Sequence, residues 1–385
     1  MKRLFFLSSA FLLVMAVSSL AQDARSRDGN GDKIQERFAV LDVDKDGVLT
    51  MEEVGRPRLF QRLDADGNGI VNRSEAVAFF ETRSKRLRPT GAGSERGTAS
   101  QEEGSTMIEE LNIPYARISG VNPNLLSLDI YRPKSSLENA QQTNKPVIVM
   151  IHGGGFRGGD KGNVSQGRQK ASFFTGHGFV YVSVNYRLSP KVRHPAHVED
   201  VAKALSWIVD HIASYDGDPK RIFLMGHSAG AHLAALVTTD KTYLNKLGKS
   251  AAMLSGVVLL DSAGYNIPRK LENFSDGPLR RSLYEDAFGK DRQTWIQASP
   301  IQYVQPGESL PPFLVFYTER EASEAISKEF VEALQKAEIP AAAVLAKGKT
   351  HRAINRDIGM PEDGASRLIL DFLNGKDPRA FPPSI

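Results

Sequence analysis

The sequence contains no cysteine among its 385 residues, and this absence excludes several kinds of chemistry. Without thiols the chain cannot form disulfides, use a cysteine nucleophile or hold zinc through sulfur ligands. A lipoprotein anchor, which needs a cysteine after the cleavage site, is excluded for the same reason.

A strong charge imbalance is also lacking. The formal net charge is +4 at pH 7, with 49 Lys and Arg against 45 Asp and Glu, and no long run of one sign occurs. This balance gives no reason to expect a nucleic-acid partner. The length is sufficient for one large domain and a small one.

Long apolar segments are likewise scarce. The apolar run within residues 1–21 contains serines and is shorter than the ~20 apolar residues that a membrane span needs. Lys2 and Arg3 precede it, and Ala21 ends it among small residues. The pattern predicts a signal peptide over residues 1–21, cleaved before Gln22, and a secreted or periplasmic protein without a stable membrane span.

Two twelve-residue segments, 42–53 and 64–75, share one pattern of oxygen-bearing side chains. Carboxylates or amides stand at positions 1, 3 and 5, a glycine at position 6 and a glutamate at position 12, while position 7 offers its backbone carbonyl. Calcium needs about six to eight oxygens from such a short, folded loop. The predicted Ca²⁺ ligands are Asp42, Asp44, Asp46, Val48, Glu53, Asp64, Asp66, Asn68, Ile70 and Glu75.

Apolar residues at helical spacing flank both segments, so residues 31–86 resemble a paired EF-hand. The resemblance implies a small all-α, calcium-binding domain. Because calcium is plentiful outside the cell, a constitutive structural role is favoured over a sensor role. Residues 87–107 are rich in Gly, Ser, Thr, Glu and Arg, which predicts a flexible linker.

Beyond the linker, apolar strands alternate with amphipathic helices. This order predicts an α/β fold with a mostly parallel sheet covered on both faces. The predicted strands are residues 125–131, 146–151, 179–184, 221–225, 257–260, 313–317 and 342–345. The segment between the fifth and sixth of these, 262–310, is long and partly helical, and we assign it a role in substrate selection.

Two short motifs in this region belong to one mechanism. Residues 226–230 read Gly-His-Ser-Ala-Gly, the sharp strand-to-helix turn that exposes a nucleophilic serine, here Ser228. Residues 152–156 read His-Gly-Gly-Gly-Phe, a loop whose backbone N–H groups can bind an oxyanion. We therefore predict an oxyanion hole formed by Gly153, Gly154 and Ala229.

Residues 110–375 resemble an α/β-hydrolase of the carboxylesterase and lipase type, because these motifs and Asn-Tyr-Arg at 185–187 occur in the order seen in that family. The resemblance implies a hydrolase domain over residues 108–376, followed by a tail at 377–385. It also implies hydrolysis of small or medium carboxylic esters, among which an acylated carbohydrate is one candidate. The hydrolase chemistry itself would need no cofactor.

The remaining catalytic residues should follow the serine in the order acid, then histidine. Only His232 and His351 lie beyond Ser228, and His351 is favoured because it follows the last strand. For the acid we expect Glu319, after the strand 313–317, with Glu321 and Asp261 as alternatives.

The sequence predicts an exported serine esterase with calcium-binding EF-hands. Two alternatives remain open at this point: an amide- or peptide-cleaving hydrolase, and a calcium-dependent binding protein whose hydrolase domain is inactive. The oligomeric state is not predicted.

Overall fold

The computed structural model describes residues 107–134, 144–163, 167–273 and 277–385, with shorter stretches between residues 38 and 79. The chain divides into two compact units, residues 1–100 and 101–385. The predicted signal peptide and all of the predicted linker except Met107 lie outside the described residues. No helix of the described residues is both long enough and apolar enough to cross a membrane.

In the first unit, strand β1 (Val48–Leu49), helix α1 (Pro57–Leu63) and strand β2 (Val71–Asn72) surround a small apolar core. The two strands pair antiparallel, with Leu49 opposite Val71. Both residues stand at position 8 of the predicted calcium loops, so equivalent positions of the two loops are paired. The expected all-α unit therefore also contains a short two-stranded sheet. Its buried core residues are Phe38, Leu49, Val54, Phe60, Leu63, Val71 and Ala76.

In the second unit, the described residues form a sheet of eight strands. The strands are β3 (Met107–Pro114), β4 (Ser127–Pro133), β5 (Lys145–Ile151), β6 (Val180–Val184), β7 (Gly217–His227), β8 (Leu254–Leu260), β9 (Phe313–Tyr317) and β10 (Ala341–Leu345). Their order in the sheet is β10-β9-β8-β7-β5-β6-β4-β3. Strands β5 to β10 are mutually parallel, and β4 runs antiparallel to both of its neighbours.

Helices cover both faces of this sheet. The helices are α2 (Arg168–Gly176), α3 (Ala196–His211), α4 (Ala229–Thr239), α5 (Lys241–Asn245), α6 (Ile267–Asn273), α7 (Gly277–Phe288), α8 (Arg292–Gln297), α9 (Glu321–Lys336), α10 (Ala353–Arg356) and α11 (Gly364–Leu373). Val147 and Val149 of β5 face a core shared with α3, α4 and α9, whereas Ile148 and Met150 face a core shared with α2 and α11. Such alternation places apolar residues on both faces, as a doubly covered sheet requires.

The predicted fold class is confirmed, and the observed β9 has the predicted bounds. The segment 377–385, predicted to be a C-terminal tail, contacts the edge of the sheet. The N–H of Ile385 donates to the Leu345 carbonyl (2.9 Å), and the Ile385 carbonyl accepts from Lys347 (3.1 Å). Phe381 is buried. The segment pairs with the edge strand β10, whose outer hydrogen-bonding groups would otherwise face solvent.

Candidate active site

Ser228 lies at a tight turn between β7 and α4. Its backbone has φ 54° and ψ −118°, a left-handed conformation that a non-glycine residue adopts only at a cost in strain. The turn is possible because two glycines allow the chain to approach itself closely. A Cβ at Gly230 would lie 2.1 Å from the Ile151 carbonyl oxygen, and one at Gly226 would lie 2.4 Å from the Gly230 oxygen. The serine is thereby raised above the carboxyl end of the sheet.

His351 reaches the serine from the loop between β10 and α10. Its Nε2 lies 3.0 Å from Ser228 Oγ, and its Nδ1 lies 2.6 Å from Asp261 Oδ2. Asp261 directly follows β8 and is completely buried. The structure therefore brings together a hydroxyl, an imidazole and a carboxylate in the relation that a serine nucleophile, its base and an orienting acid require.

The expectation that Glu319 supplies the acid is wrong. Its Oε2 instead accepts a hydrogen bond from the Gly348 N–H (3.0 Å), and the residue is exposed. Glu321 begins α9 and is also exposed. Asp261, one of the two predicted alternatives, is the acid that contacts His351, because β8 is the direct neighbour of β7. Ser228 N–H donates to the Leu260 carbonyl (3.0 Å), so the residue after Leu260 lies beside the serine turn.

Asp261 has more partners than the histidine alone. Its Oδ2 accepts from Arg320 Nη2 (2.7 Å) and Thr318 Oγ1 (3.1 Å), and its Oδ1 accepts from Ser323 Oγ. Burial raises the pKa of the Asp261 carboxyl, but the His351 hydrogen bond and the charge of Arg320 outweigh it and hold that pKa well below its usual range. The carboxylate is therefore ionised.

Arg320 is the partner that the sequence did not reveal. Its Nη2 lies 3.2 Å from His351 Nδ1 as well as 2.7 Å from Asp261. Because Nδ1–H donates to the carboxylate, the guanidinium does not bond this nitrogen and places a second positive charge next to an imidazolium. Arg320 thus reduces the electrostatic support that Asp261 gives to a protonated His351.

A second histidine lies against the base. The rings of His227 and His351 are 4.7 Å apart, and His227 Nε2 lies 2.8 Å from the His351 carbonyl oxygen. That distance identifies Nε2 as the donor. Burial, with the neighbouring His351, lowers the pKa of His227 to about 3. His227 therefore stays neutral near pH 7 and holds the backbone of the His351 loop.

The predicted oxyanion loop faces the same turn. A Cβ at Gly153 would lie 3.1 Å from Ser228 Cβ, and Gly154 has φ +121°. In the described residues, the N–H groups of Gly153, Gly154 and Ala229 donate to no protein acceptor. Three free backbone donors next to a nucleophilic hydroxyl are the arrangement that an oxyanion requires.

A buried polar network holds the far end of this loop. The N–H of Lys161 donates to Asn185 Oδ1 (2.6 Å), and Lys161 Nζ lies 3.0 Å from Asp129 Oδ1. Asp160 Oδ2 accepts from Asn185 and Asn124 (both 3.0 Å). The Asn185 of the Asn-Tyr-Arg motif is thus a loop anchor. The buried ion pair of Lys161 and Asp129 is costly to break, since removing one partner would leave the other charge buried and unpaired.

A cavity of about 380 Å³ opens above Ser228. This volume is at the lower end of ordinary ligand pockets, which run from about 300 to 1,000 Å³. The segment between β8 and β9 contributes Ser262, Ala263, Lys270, Leu283 and Tyr284 to its wall. The position of this segment agrees with the role in substrate selection that we assigned to it.

Comparison with known families agrees with this geometry. Residues 128–334, more than half of the chain, match the BD-FAE family. The chain belongs to the BD-FAE family. The matched region includes Ser228 and Asp261, whereas His351 lies beyond its end.

Several named relatives of this BD-FAE chain are esterases. A probable isoprenylcysteine alpha-carbonyl methylesterase from Arabidopsis thaliana is 31% identical over 237 residues, which are 58% of this chain and 48% of the relative. Esterase LipQ from Mycobacterium tuberculosis is 31% identical over 273 residues, 68% of this chain and 61% of the relative. The chain thus spans about half the length of the first and less than two thirds of the second.

Solved structures show the same fold. Esterase B from Lactobacillus rhamnosis superposes with a TM-score of 0.58 at 21% identity, covering 70% of this chain and 85% of the other. At this identity the likeness establishes the α/β-hydrolase fold of the BD-FAE unit.

A second family match lies in the N-terminal unit, where residues 34–56 match an EF-hand. This range includes the first predicted calcium loop. Of the predicted ligands, Val48, Asp64 and Glu75 are described. The described strand pair β1 and β2 fits two loops placed side by side, as the repeated pattern requires. The other predicted ligands, Asp42, Asp44, Asp46, Glu53, Asp66, Asn68 and Ile70, lie outside the described residues.

Proposed function

We propose that the chain is an exported serine esterase that hydrolyses carboxylic esters with small or medium acyl groups. The observation that carries the proposal is the continuous hydrogen-bonded path from Ser228 Oγ through His351 to the buried Asp261. The BD-FAE membership and the esterase relatives support the same reaction class. The cavity of about 380 Å³ favours a small or medium substrate.

In the proposed mechanism, Ser228 Oγ attacks the ester carbonyl carbon while His351 Nε2 takes the hydroxyl proton. The negative charge that develops on the carbonyl oxygen is bound by the N–H groups of Gly153, Gly154 and Ala229. His351 then gives its proton to the leaving alcohol, and an acyl-enzyme remains on Ser228. Water activated by His351 hydrolyses that intermediate, releasing the carboxylic acid and restoring the serine.

Asp261 remains ionised throughout. It fixes the tautomer of His351 with the proton on Nδ1 and stabilises the imidazolium that forms at each proton transfer. The low pKa of Asp261 supports this role, since a neutral carboxyl would stabilise the cation less.

The test is hydrolysis of p-nitrophenyl acetate, butyrate and octanoate by the protein and by Ser228→Ala. We expect turnover of the shorter esters and its loss in the variant. The chain-length trend over the three esters would give the size of the acyl pocket. Turnover that persists in Ser228→Ala would contradict the mechanism.

The two alternatives have different support. The inactive binding protein has no support from the site, because Ser228, His351 and Asp261 are joined by hydrogen bonds as an active serine hydrolase requires. The amide-cleaving hydrolase would use the same three residues. Matched substrates, p-nitrophenyl acetate and p-nitroacetanilide, distinguish it, and we expect turnover of the ester alone.

We also propose that Ca²⁺ binds the two N-terminal loops through the predicted oxygen ligands and stabilises that unit. Calorimetric titration of the protein with CaCl₂ should show two binding events, and chelation should lower the unfolding temperature of the N-terminal unit. Glu53→Gln and Glu75→Gln should each remove one event, whereas Glu321→Gln, an exposed glutamate in the other unit, should not. Two events in all three variants would contradict the proposed ligands.

Export is proposed from residues 1–21 alone. Sequencing the N-terminus of the protein recovered from the periplasm or the medium of an expressing bacterium should give Gln22. An intact Met1 on cytoplasmic protein would contradict it.

A further inference from the structure

The cavity above Ser228 is lined by positive charge. Lys270, Arg320 and Arg352 all contribute to its wall, and in the described residues no aspartate or glutamate does. The catalytic carboxylate of Asp261 is fully buried and already engaged by His351 and Arg320. Among the described residues of the wall, a substrate therefore meets cationic side chains and no carboxylate.

Arg352 is the most available of the three. It directly follows the catalytic histidine, is exposed, and lines the cavity. Within the described part of the chain, no ion pair or hydrogen bond engages its guanidinium. Arg320, by contrast, has two of its nitrogens bound to Asp261 and Thr318. An exposed arginine needs no partner on an open surface, but this one lines the cavity above Ser228, where the proposed ester binds.

We propose that the substrate carries a carboxylate within a few bonds of the scissile ester and that Arg352 binds it. A guanidinium is suited to this role because its planar fork can donate two parallel hydrogen bonds to one carboxylate. The inference rests on the proposed function and deepens it, because it names the substrate class as esters of dicarboxylic acids or of hydroxy acids.

The carboxylate can lie on either half of the ester, and two matched pairs of esters distinguish the halves. Monomethyl succinate carries the charge on the acyl side, and methyl succinamate is its neutral isostere. O-Acetylglycolate carries it on the alcohol side, and O-acetylglycolamide is the neutral isostere. Hydrolysis of all four is followed by acid release in a pH-stat.

The expected result is a kcat/KM for the anionic member of one pair that is on the order of tenfold higher than for its neutral isostere. Raising NaCl from 0.1 to 1 M should shrink this ratio, because the Debye length falls from about 10 to about 3 Å. Arg352→Gln should bring the ratio close to one, and Arg352→Glu should invert it. Arg367→Gln, which removes an exposed arginine of α11 outside the cavity wall, should leave the ratio unchanged.

A ratio at or below one in both pairs would overturn the inference, as would a preference that survives in folded Arg352→Gln and Arg352→Glu. In these cases Ser228-dependent turnover of the neutral esters would leave the esterase proposal intact. Absence of turnover on all four esters and on the p-nitrophenyl series would overturn both.

Discussion

The loops that follow β8 and β9 leave adjacent parallel strands at the same edge of the sheet, yet they contribute opposite charges to the site. The loop after β8 supplies the buried Asp261, whose carboxylate accepts a hydrogen bond from His351 Nδ1. The second turns Glu319 away toward Gly348 and brings Arg320 to the same carboxylate. In this protein the acid therefore comes from the loop whose strand lies next to β7, the strand that ends at the Ser228 turn.

The physical reason is the position of the strands. β8 pairs directly with β7, whose end carries Ser228, and Ala263 N–H donates back to the Ser228 carbonyl (3.0 Å). β9 is one strand farther away. A carboxylate after β8 therefore needs no long loop to reach the imidazole.

The largest effect should follow from Asp261→Asn. The amide cannot stabilise an imidazolium and favours the wrong tautomer of His351, so kcat/KM should fall by about 10³- to 10⁴-fold. Circular dichroism and the unfolding temperature serve as controls for folding. A folded variant that retains a tenth of the activity would remove Asp261 from the mechanism.

A buried lysine holds the helix that follows the His351 loop, and it predicts that the stability of the protein depends on pH. Lys170 Nζ donates to the Asn355 carbonyl (2.6 Å), and burial lowers the pKa of Lys170 to about 7. Between pH 7 and about 10.5 the unfolded chain binds more protons at this residue, so the free energy of unfolding should rise with pH.

The measurement compares urea unfolding of the protein and of Lys170→Met at pH 7 and pH 9. The unsubstituted protein should gain on the order of 1–3 kcal/mol relative to the variant over this interval. Lys336→Met, at an exposed lysine of α9, should show no such difference from the parent. Parallel pH profiles for parent and Lys170→Met would contradict the prediction.

Arg320→Gln tests the second loop. The guanidinium helps to hold the pKa of the Asp261 carboxyl below its usual range, so its removal should raise that pKa. The ¹³C chemical shift of the Asp261 carboxyl, followed against pH in labelled protein, reports the change. Arg320→Lys should restore part of the shift, which a purely structural role would not predict. An unchanged titration of Asp261 in Arg320→Gln would contradict the electrostatic role.

Glu319→Gln should have the smallest effect. Only an exposed hydrogen bond to Gly348 is weakened, so kcat/KM should stay within about threefold of the parent. A loss near that of Asp261→Asn would mean that the two loops exchange roles in solution.

Much of the fold could be predicted from the sequence, because the spacing of apolar residues and the local composition determine where strands and helices form. The strand β9 and the turn at Ser228 follow from apolar runs and from a glycine-bounded motif. His351 could be found because only one other histidine follows the serine. These features are local or depend on chain order.

The acid could not be predicted in this way, because its position depends on the lateral order of strands. The sequence places Glu319 and Asp261 each at the end of an apolar strand and does not state which strand neighbours β7. The one available signal was that Asp261 directly ends its strand. The contacts of Arg320 and the anchoring of Lys161 depend on residues that lie far apart in the chain.

The assignment of Asp261 as the catalytic acid is tested most directly by observing its hydrogen bond with His351 Nδ1. Its proton should give a far-downfield ¹H NMR signal, coupled to nitrogen in protein labelled with ¹⁵N-histidine. We predict that the signal is present in the parent and in Glu319→Gln and is lost in Asp261→Asn. A signal that is lost in Glu319→Gln and kept in Asp261→Asn would contradict the assignment of the acid.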